Sequence, residues 1–344
     1  MALLGGHLQT SRYQPMRQLR FWLGIVVSIV CLALAVRDVN LAEVQAALVD
    51  ANYAYVLLVA LLTLAGLVIR ALRWRLLFYP MKGLVFGKVL TVLSIGYLLM
   101  NVLPARLGDV ARAYLLGDLT GVSKARALST IVVERVADVL VVVLFLSSLV
   151  FLIPLPEWAV QSGVALGAGF LALAVFLVLF ANFREGGIGL LRRVVSRVRW
   201  LDREGLWRLV DSLMDGLEIL RHPAQGGVFF GISVLIWVVG IAQFYFGMVA
   251  LDLGLPVEAA IFVMCVTALG MTVPSTPGYI GVWEYIIVLS LSLFGVDKSR
   301  ALSCALVIHA VVYLSTTAAG VISLWRESLA MAILREEVLP QGKS

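Results

Sequence analysis

Several stretches of this chain run for about twenty residues with hardly a charge, the length a helix needs to cross the ~30 Å hydrocarbon core of a bilayer. Inside hydrocarbon every backbone N–H and C=O must find an internal partner, so such stretches are restricted to helices or closed barrels. Full spans read at 21–36, 52–69, 127–153, 159–181, 228–251 and 301–325. Mean hydropathy is +1.00, and charged residues make up 14% against the ~25% of soluble domains. A disordered chain, a disulfide scaffold and a soluble enzyme are thereby excluded. The expectation is an all-α polytopic membrane protein, a single integral membrane domain over 1–344.

Two further apolar stretches, 84–103 and 257–273, are different. Each runs into a segment rich in proline and glycine, Asn101-Val-Leu-Pro-Ala-Arg-Leu-Gly-Asp109 and Val273-Pro-Ser-Thr-Pro-Gly-Tyr-Ile-Gly-Val-Trp-Glu284. Proline removes a donor and stops a helix, and broken backbone is tolerated at membrane depth only inside protein or beside water. Both are expected to be broken, re-entrant helical hairpins, added to the six full spans.

Charge sets the orientation. Of the 27 Lys and Arg, 22 fall in the N-terminus, the 70–83 loop, 104–126, 182–227 and the C-terminus, while only Arg37, Lys298 and Arg300 fall in the opposite loops. By the positive-inside rule this puts both termini in the cytoplasm. The net charge of +6 is then topological and calls for no nucleic acid. Cys31, Cys265 and Cys304 lie in apolar stretches and suggest no metal; no cofactor motif is present.

The chain also repeats itself. Gly121-Val-Ser-Lys-Ala-Arg-Ala-Leu-Ser129 recurs as Gly295-Val-Asp-Lys-Ser-Arg-Ala-Leu-Ser303, at an offset of 174, and Pro104-x-x-x-Gly108 matches Pro277-x-x-x-Gly281. Three spans and one hairpin separate the copies, an odd number of crossings. The halves, about 52–153 and 228–325, should therefore face opposite ways, the inverted layout of many transporters. Between them, 186–222 carries apolar residues at helical spacing among charges and reads as an amphipathic connector on the cytoplasmic face, or as a plain solvated linker.

Charges inside spans carry the chemistry. Counting from Arg126, a 1.5 Å rise puts Glu134 ~12 Å and Asp138 ~18 Å into the bilayer, where an ionised group costs at least ~2.5 kcal/mol and needs a partner. Arg135 lies about 100° round the helix and is open to a structural salt bridge with Asp109 or Glu284. Asn101, Arg106, Asp109 and Arg112 surround the first break, where an arginine fork suits a phosphate and loop charge is the plainer reading. Pro277, Gly278 and Gly281 shape the second break, followed by the intramembrane acid Glu284. His309 falls where the first copy has Arg135. Arg70, Arg73, Trp74 and Arg75 read as interfacial anchors at the end of the second span.

These residues occur in a fixed order: Arg73-Trp74-Arg75; Asn101-x-x-Pro104-x-Arg106-x-Gly108-Asp109-x-x-Arg112; Glu134-Arg135-x-x-Asp138; Pro274-x-x-Pro277-Gly278-x-x-Gly281-x-x-Glu284. In that order and spacing they resemble the lysylphosphatidylglycerol synthase transmembrane, or flippase-like UPF0104, family over roughly residues 20–325. In its best-known members this membrane part is fused to a soluble aminoacyl-transferase and is linked with moving aminoacylated phosphatidylglycerol between leaflets; other relatives accompany lipid-linked sugar or hopanoid pathways. The chain departs from the family pattern at Asp109, usually Glu, at Tyr279, often glycine, and at His309, often arginine. It ends about 19 residues after its last span, so the resemblance implies no lysyl-lipid synthesis by this chain alone.

The expected function is therefore a flippase-like carrier of a phosphate-bearing lipid, aminoacylated or glycosylated, in the cell membrane. Arg106 and Arg112 would meet the phosphate; Glu134, Asp138 and Glu284 would meet a cation or protons. The alternatives are a membrane-embedded transferase acting on a lipid phosphate and a non-transporting partner of a separate lipid-modifying enzyme.

Overall fold

The computed structural model describes residues 14–81, 83–103, 107–149, 157–183, 204–272 and 275–338. Arg106, Pro104, Pro274 and the whole 186–203 part of the connector lie outside them. The described residues form twelve α-helices and two short 3-10 turns, with no strand among them. The helices are α1 Gln14–Val36, α2 Leu41–Val49, α3 Tyr53–Leu76, α4 Phe86–Val102, α5 Leu107–Thr120 and α6 Lys124–Leu149. They continue with α7 Glu157–Asn182, α8 Glu204–Gly216, α9 Pro223–Ala250, α10 Val257–Gly270, α11 Val282–Ser292 and α12 Lys298–Val338.

Each expected span falls on a helix. Tyr53–Leu76, Pro223–Ala250 and the Lys298–Ser328 part of α12 are long and apolar enough to cross a membrane; the pair Gly24–Val36 and Leu41–Val49, bent by 83°, is a fourth candidate. The bend is local chemistry: Asp38 takes a positive φ of 63°, and Asn40 caps α2 by accepting the Ala42 N–H. α6 has 26 residues, about 39 Å of helix, but bears Glu134, Arg135 and Asp138 near its middle. α3 shows how such a helix sits in lipid. Leu57, Leu61, Leu64, Val68 and Leu72 form an exposed apolar stripe, while Val59, Thr63, Gly66, Leu67 and Ala71 turn inward. Lipid is as apolar as a core, so polarity moves to the protein side.

The two apolar stretches ending in proline and glycine are hairpins of short helices, 17 and 14 residues for α4 and α5 and 14 and 11 for α10 and α11. The first closes backbone on backbone. A Cβ on Gly108 would lie 2.3 Å from the Gly96 carbonyl oxygen and 2.3 Å from Met100 Cγ, so only glycine permits the two helices to touch.

The order long–short–short–long thus occurs twice, as α3–α6 and α9–α12, and the packing repeats with it. α3 lies against α9; α4 packs on α12 and α10 on α6. Individual contacts recur at the 174-residue offset. A Cβ on Gly96 would touch Arg112, and one on Gly270 would touch Ile286. Arg126 donates to the Phe78 carbonyl, and Arg300 to the Asp252 carbonyl. The repeated nine-residue motif is explained by these contacts. Gly121 and Gly295 take φ of 74° and 77°, the next turn starts a helix, and the arginine supplies donors to the carbonyl-rich end of the preceding long helix. The connector helix α8 docks on α6 rather than standing apart: a Cβ on Gly216 would meet the Ser129 side chain at 2.4 Å, and Met214 is buried.

Candidate functional site

Six charged side chains from three helices close into a ring in which the sign alternates. Arg73 on α3 donates to Asp138 Oδ1 at 2.5 Å and approaches Glu134 Oε1 at 3.4 Å. Arg112 on α5 donates to Glu134 Oε2 at 2.7 Å and meets Asp109 at 3.1 Å. Arg135 returns from α6 to Asp109 at 3.3 Å and to Asp138 at 3.4 Å. Every charge has two neighbours of opposite sign, and the three arginines balance the three acids. The arrangement offsets a desolvation cost that a lone charge in hydrocarbon cannot escape.

The surroundings hold the ring in place. Ser233 Oγ lies 3.2 Å from Arg73 Nη1, and Trp237 Nε1 donates to Asp138 at 3.4 Å, so α9 contributes as well. Trp74 donates to Thr130 at 3.0 Å, and its ring lies 4.8 Å below the Arg112 guanidinium, a cation–π contact. One surplus remains: the Nε–H groups of Arg73, Arg112 and Arg135 are buried without an acceptor. Three guanidiniums carry up to fifteen donors against about twelve lone-pair sites on three carboxylates, so the ring is electrically neutral yet short of acceptors.

The placements correct part of the sequence reading. Arg73 and Trp74 are not interfacial anchors: they are 2% and 0% exposed because they lie on the face of α3 opposite its lipid stripe. Tryptophan and arginine at a helix end give no sign of which way they point. Arg75 is exposed and donates to the Leu84 carbonyl at 2.9 Å; Arg70 is half-buried and lines a cavity. Arg112 is buried and held by two acids, so in this state it does not present its fork to a headgroup. Arg135 takes the salt bridge to Asp109 that its sequence position left open.

A second constellation forms at the other break. Gly278 and Gly281 take φ of 69° and 90°, turning the chain through a 3-10 turn, Pro277–Tyr279, into α11. Glu284 caps that helix, accepting the Gly281 N–H at 2.6 Å. Its other oxygen lies 2.5 Å from His309 Nδ1, and His309 Nε2 lies 2.9 Å from the Gly278 carbonyl. A carbonyl has no proton to give, so Nε2 carries one, and Glu284 and His309 share a second. The pair is neutral wherever that proton sits. The imidazole stacks on Trp283 at 4.9 Å. Glu284 and His309 were legible singly; their pairing was not, although His309 occupies the repeat position of Arg135.

The breaks also meet. Asn101, at the end of α4, donates to Thr316 at 3.1 Å and Thr317 at 2.9 Å on α12. A Cβ on Gly278 would lie 2.7 Å from Tyr313 and 3.4 Å from the Asn101 carbonyl. Contacts that are ionic in the first half are apolar in the second. Arg73 meets Glu134, whereas at the 174 offset a Cβ on Gly247 would meet Ile308.

Fold and site together define a multi-pass helical membrane protein with a buried ionic ring beside a pair of broken helical hairpins. The chain belongs to the family described as the lysylphosphatidylglycerol synthase TM region, whose model matches residues 21–320. Among its relatives is a UPF0104 membrane protein of Methanothermobacter thermautotrophicus, 27% identical over 86% of this chain and 92% of that protein. A UPF0104 membrane protein of Methanocaldococcus jannaschii is 22% identical over 91% of this chain and 95% of its own length. The glycosyltransferase AglD of Haloferax volcanii is 24% identical over 95% of this chain but 58% of that protein. No solved structure matches.

Proposed function

We propose that this protein is a flippase-like carrier that moves a phosphate-bearing lipid between the leaflets of the cell membrane. The observation that carries the reading is the meeting of two broken hairpins, through Asn101, Gly278 and Tyr313, beside an intramembrane ring of charge. Broken helices at the junction of two repeats are how many transporters build a central polar site. The packing that recurs at a 174-residue offset supports an inverted repeat, with both termini cytoplasmic by the distribution of lysine and arginine. The acyl chains would stay in lipid while the headgroup crosses beside the ring and the Glu284–His309 pair.

Reconstitution tests this. In vesicles carrying tail-labelled phosphatidylglycerol, quenching of the outer leaflet by a membrane-impermeant reductant should go beyond the half reached in protein-free vesicles. Quenching that stops at half for phosphatidylglycerol and for glycosylated lipids alike refutes the carrier. The relative named a glycosyltransferase favours a second reading, a membrane part that serves sugar transfer to a lipid phosphate. Turnover of a labelled polyprenyl phosphate by the pure protein, without movement between leaflets, would select it.

A further inference from the structure

Arg70 stands apart from the ring. It is half-buried and makes no hydrogen bond or ion pair to any described residue. It lines a cavity of about 70 Å³ where α3 crosses α9, together with Thr63, Tyr97, Gln243 and Thr316. The two helices are in direct contact there, since a Cβ on Gly66 would meet Val239 of α9 at 3.8 Å. Two polar groups of the cavity are fixed, since Gln243 donates to Thr63 at 2.7 Å and Thr316 takes a bond from Asn101.

The charge around this cavity is unbalanced. The ring spends its three acids on its own three arginines. Asp138 also lies within electrostatic reach of Arg70, and Tyr97 within reach of Arg135, so the cavity borders the ring. What it borders is the acceptor-poor assembly whose Nε–H groups lack partners. A surplus guanidinium, the Tyr97 hydroxyl and the remaining Gln243 N–H beside it, and a shortage of acceptors call for one ligand chemistry, a compact oxyanion. A guanidinium fork binds such a group through two parallel charge-assisted bonds.

We propose that the cavity at Arg70 is an oxyanion site, taking either the phosphodiester of a lipid headgroup or free inorganic phosphate. Arg70 supplies the charge and the fork, and the Tyr97 hydroxyl and the second amide N–H of Gln243 orient the oxygens, while Thr63, whose own hydroxyl donates to the Val59 carbonyl at 2.8 Å, holds Gln243 in place. The site rests on the carrier reading only for the lipid origin of its ligand.

The test is calorimetric titration of the full-length protein in a phosphate-free detergent with two probes, short-chain phosphatidylglycerol and inorganic phosphate, using wild type, Arg70→Lys and Arg70→Gln. Saturable binding of either probe by the wild type is expected. Loss of the guanidinium in Arg70→Gln should raise Kd about tenfold or more. Arg70→Lys keeps the charge and loses the fork, so a smaller rise is expected, and it serves if the Gln variant does not fold. Binding of the lipid alone assigns the site to a headgroup; mutual competition assigns it to any phosphate. Failure of both probes to bind the wild type, or an unchanged Kd in the variants, overturns the site. The vesicle assay is separate: a protein that binds phosphate at Arg70 and moves no lipid keeps this site and loses the carrier reading.

Discussion

Neutralising Glu134 tests whether the ring holds the fold together. Glu134→Gln preserves shape, so cavity and packing costs are negligible and the change is electrostatic. Glu134 accepts from Arg112 at 2.7 Å and from Arg73 at 3.4 Å. Glutamine can accept through one oxygen only, and its amide N–H groups then face a guanidinium. Breaking one partner out of a buried ion pair costs about 3–5 kcal/mol. Arg73 keeps Asp138 at 2.5 Å and Arg112 keeps Asp109 at 3.1 Å, which places the loss at the lower end, about 3 kcal/mol. That is roughly a 150-fold shift of the unfolding equilibrium. Removing one charge of each sign, as in Arg112→Met with Glu134→Leu, restores neutrality and should cost at least about 1.5 kcal/mol less than the sum of the single changes. The assay is unfolding in mixed micelles titrated with dodecyl sulfate, followed by circular dichroism. A Glu134→Gln protein within about 0.5 kcal/mol of wild type, a value typical of harmless surface changes, or strict additivity in the double variant, would refute the reasoning.

Three other outcomes follow from local geometry. Gly108→Ala should separate α4 from α5, costing about 1–3 kcal/mol as for an overpacked core, because its Cβ would lie 2.3 Å from the Gly96 oxygen; the same unfolding titration reads it. Gly278→Ala meets both a φ of 69° and Tyr313 at 2.7 Å, so it should destabilise by more than about 1 kcal/mol, and a cysteine pair at Asn101 and Tyr279 should then cross-link differently. Asp297, outside the spans, caps α12 by accepting the Ser299 N–H at 2.7 Å, and that backbone bond holds its carboxyl below its ordinary value near 3.8. The folded value being lower, the cap's contribution is complete above the ordinary value and is lost as pH falls through the folded one. Asp297→Ala should cost about 1 kcal/mol at neutral pH, with the difference from wild type shrinking below about pH 4 in thermal melts.

The break between Val102 and Leu107, the turn at Pro277 and the positions of the long helices were readable because hydropathy, proline and glycine act locally. So was the repeat, and the structure adds its reason: Gly121 and Gly295 supply the positive φ, while Arg126 and Arg300 close the ends of α3 and α9. Glu134 and Asp138 stood out because a charge in an apolar run is conspicuous. Arg73 and Trp74 misled for the opposite reason: at the end of a span, arginine and tryptophan are ordinary. Thr63, Tyr97 and Gln243 gave no signal, since a hydroxyl or an amide among apolar residues breaks no pattern.

The sequence by itself determined that this chain is helical, lies in a membrane and carries charge where charge is costly, because bilayer thickness and backbone hydrogen bonding act on any chain of this composition. Which charges satisfy one another was decided only by the tertiary structure. Arg73, Arg112 and Glu134 are 39 and 22 residues apart in the chain, yet they share one buried ring, while Arg70, three residues from Arg73, is left out of it. An ion pair depends on which helix faces meet in space, and in this protein α3 turns Arg73 toward α6 and leaves Arg70 facing the crossing with α9.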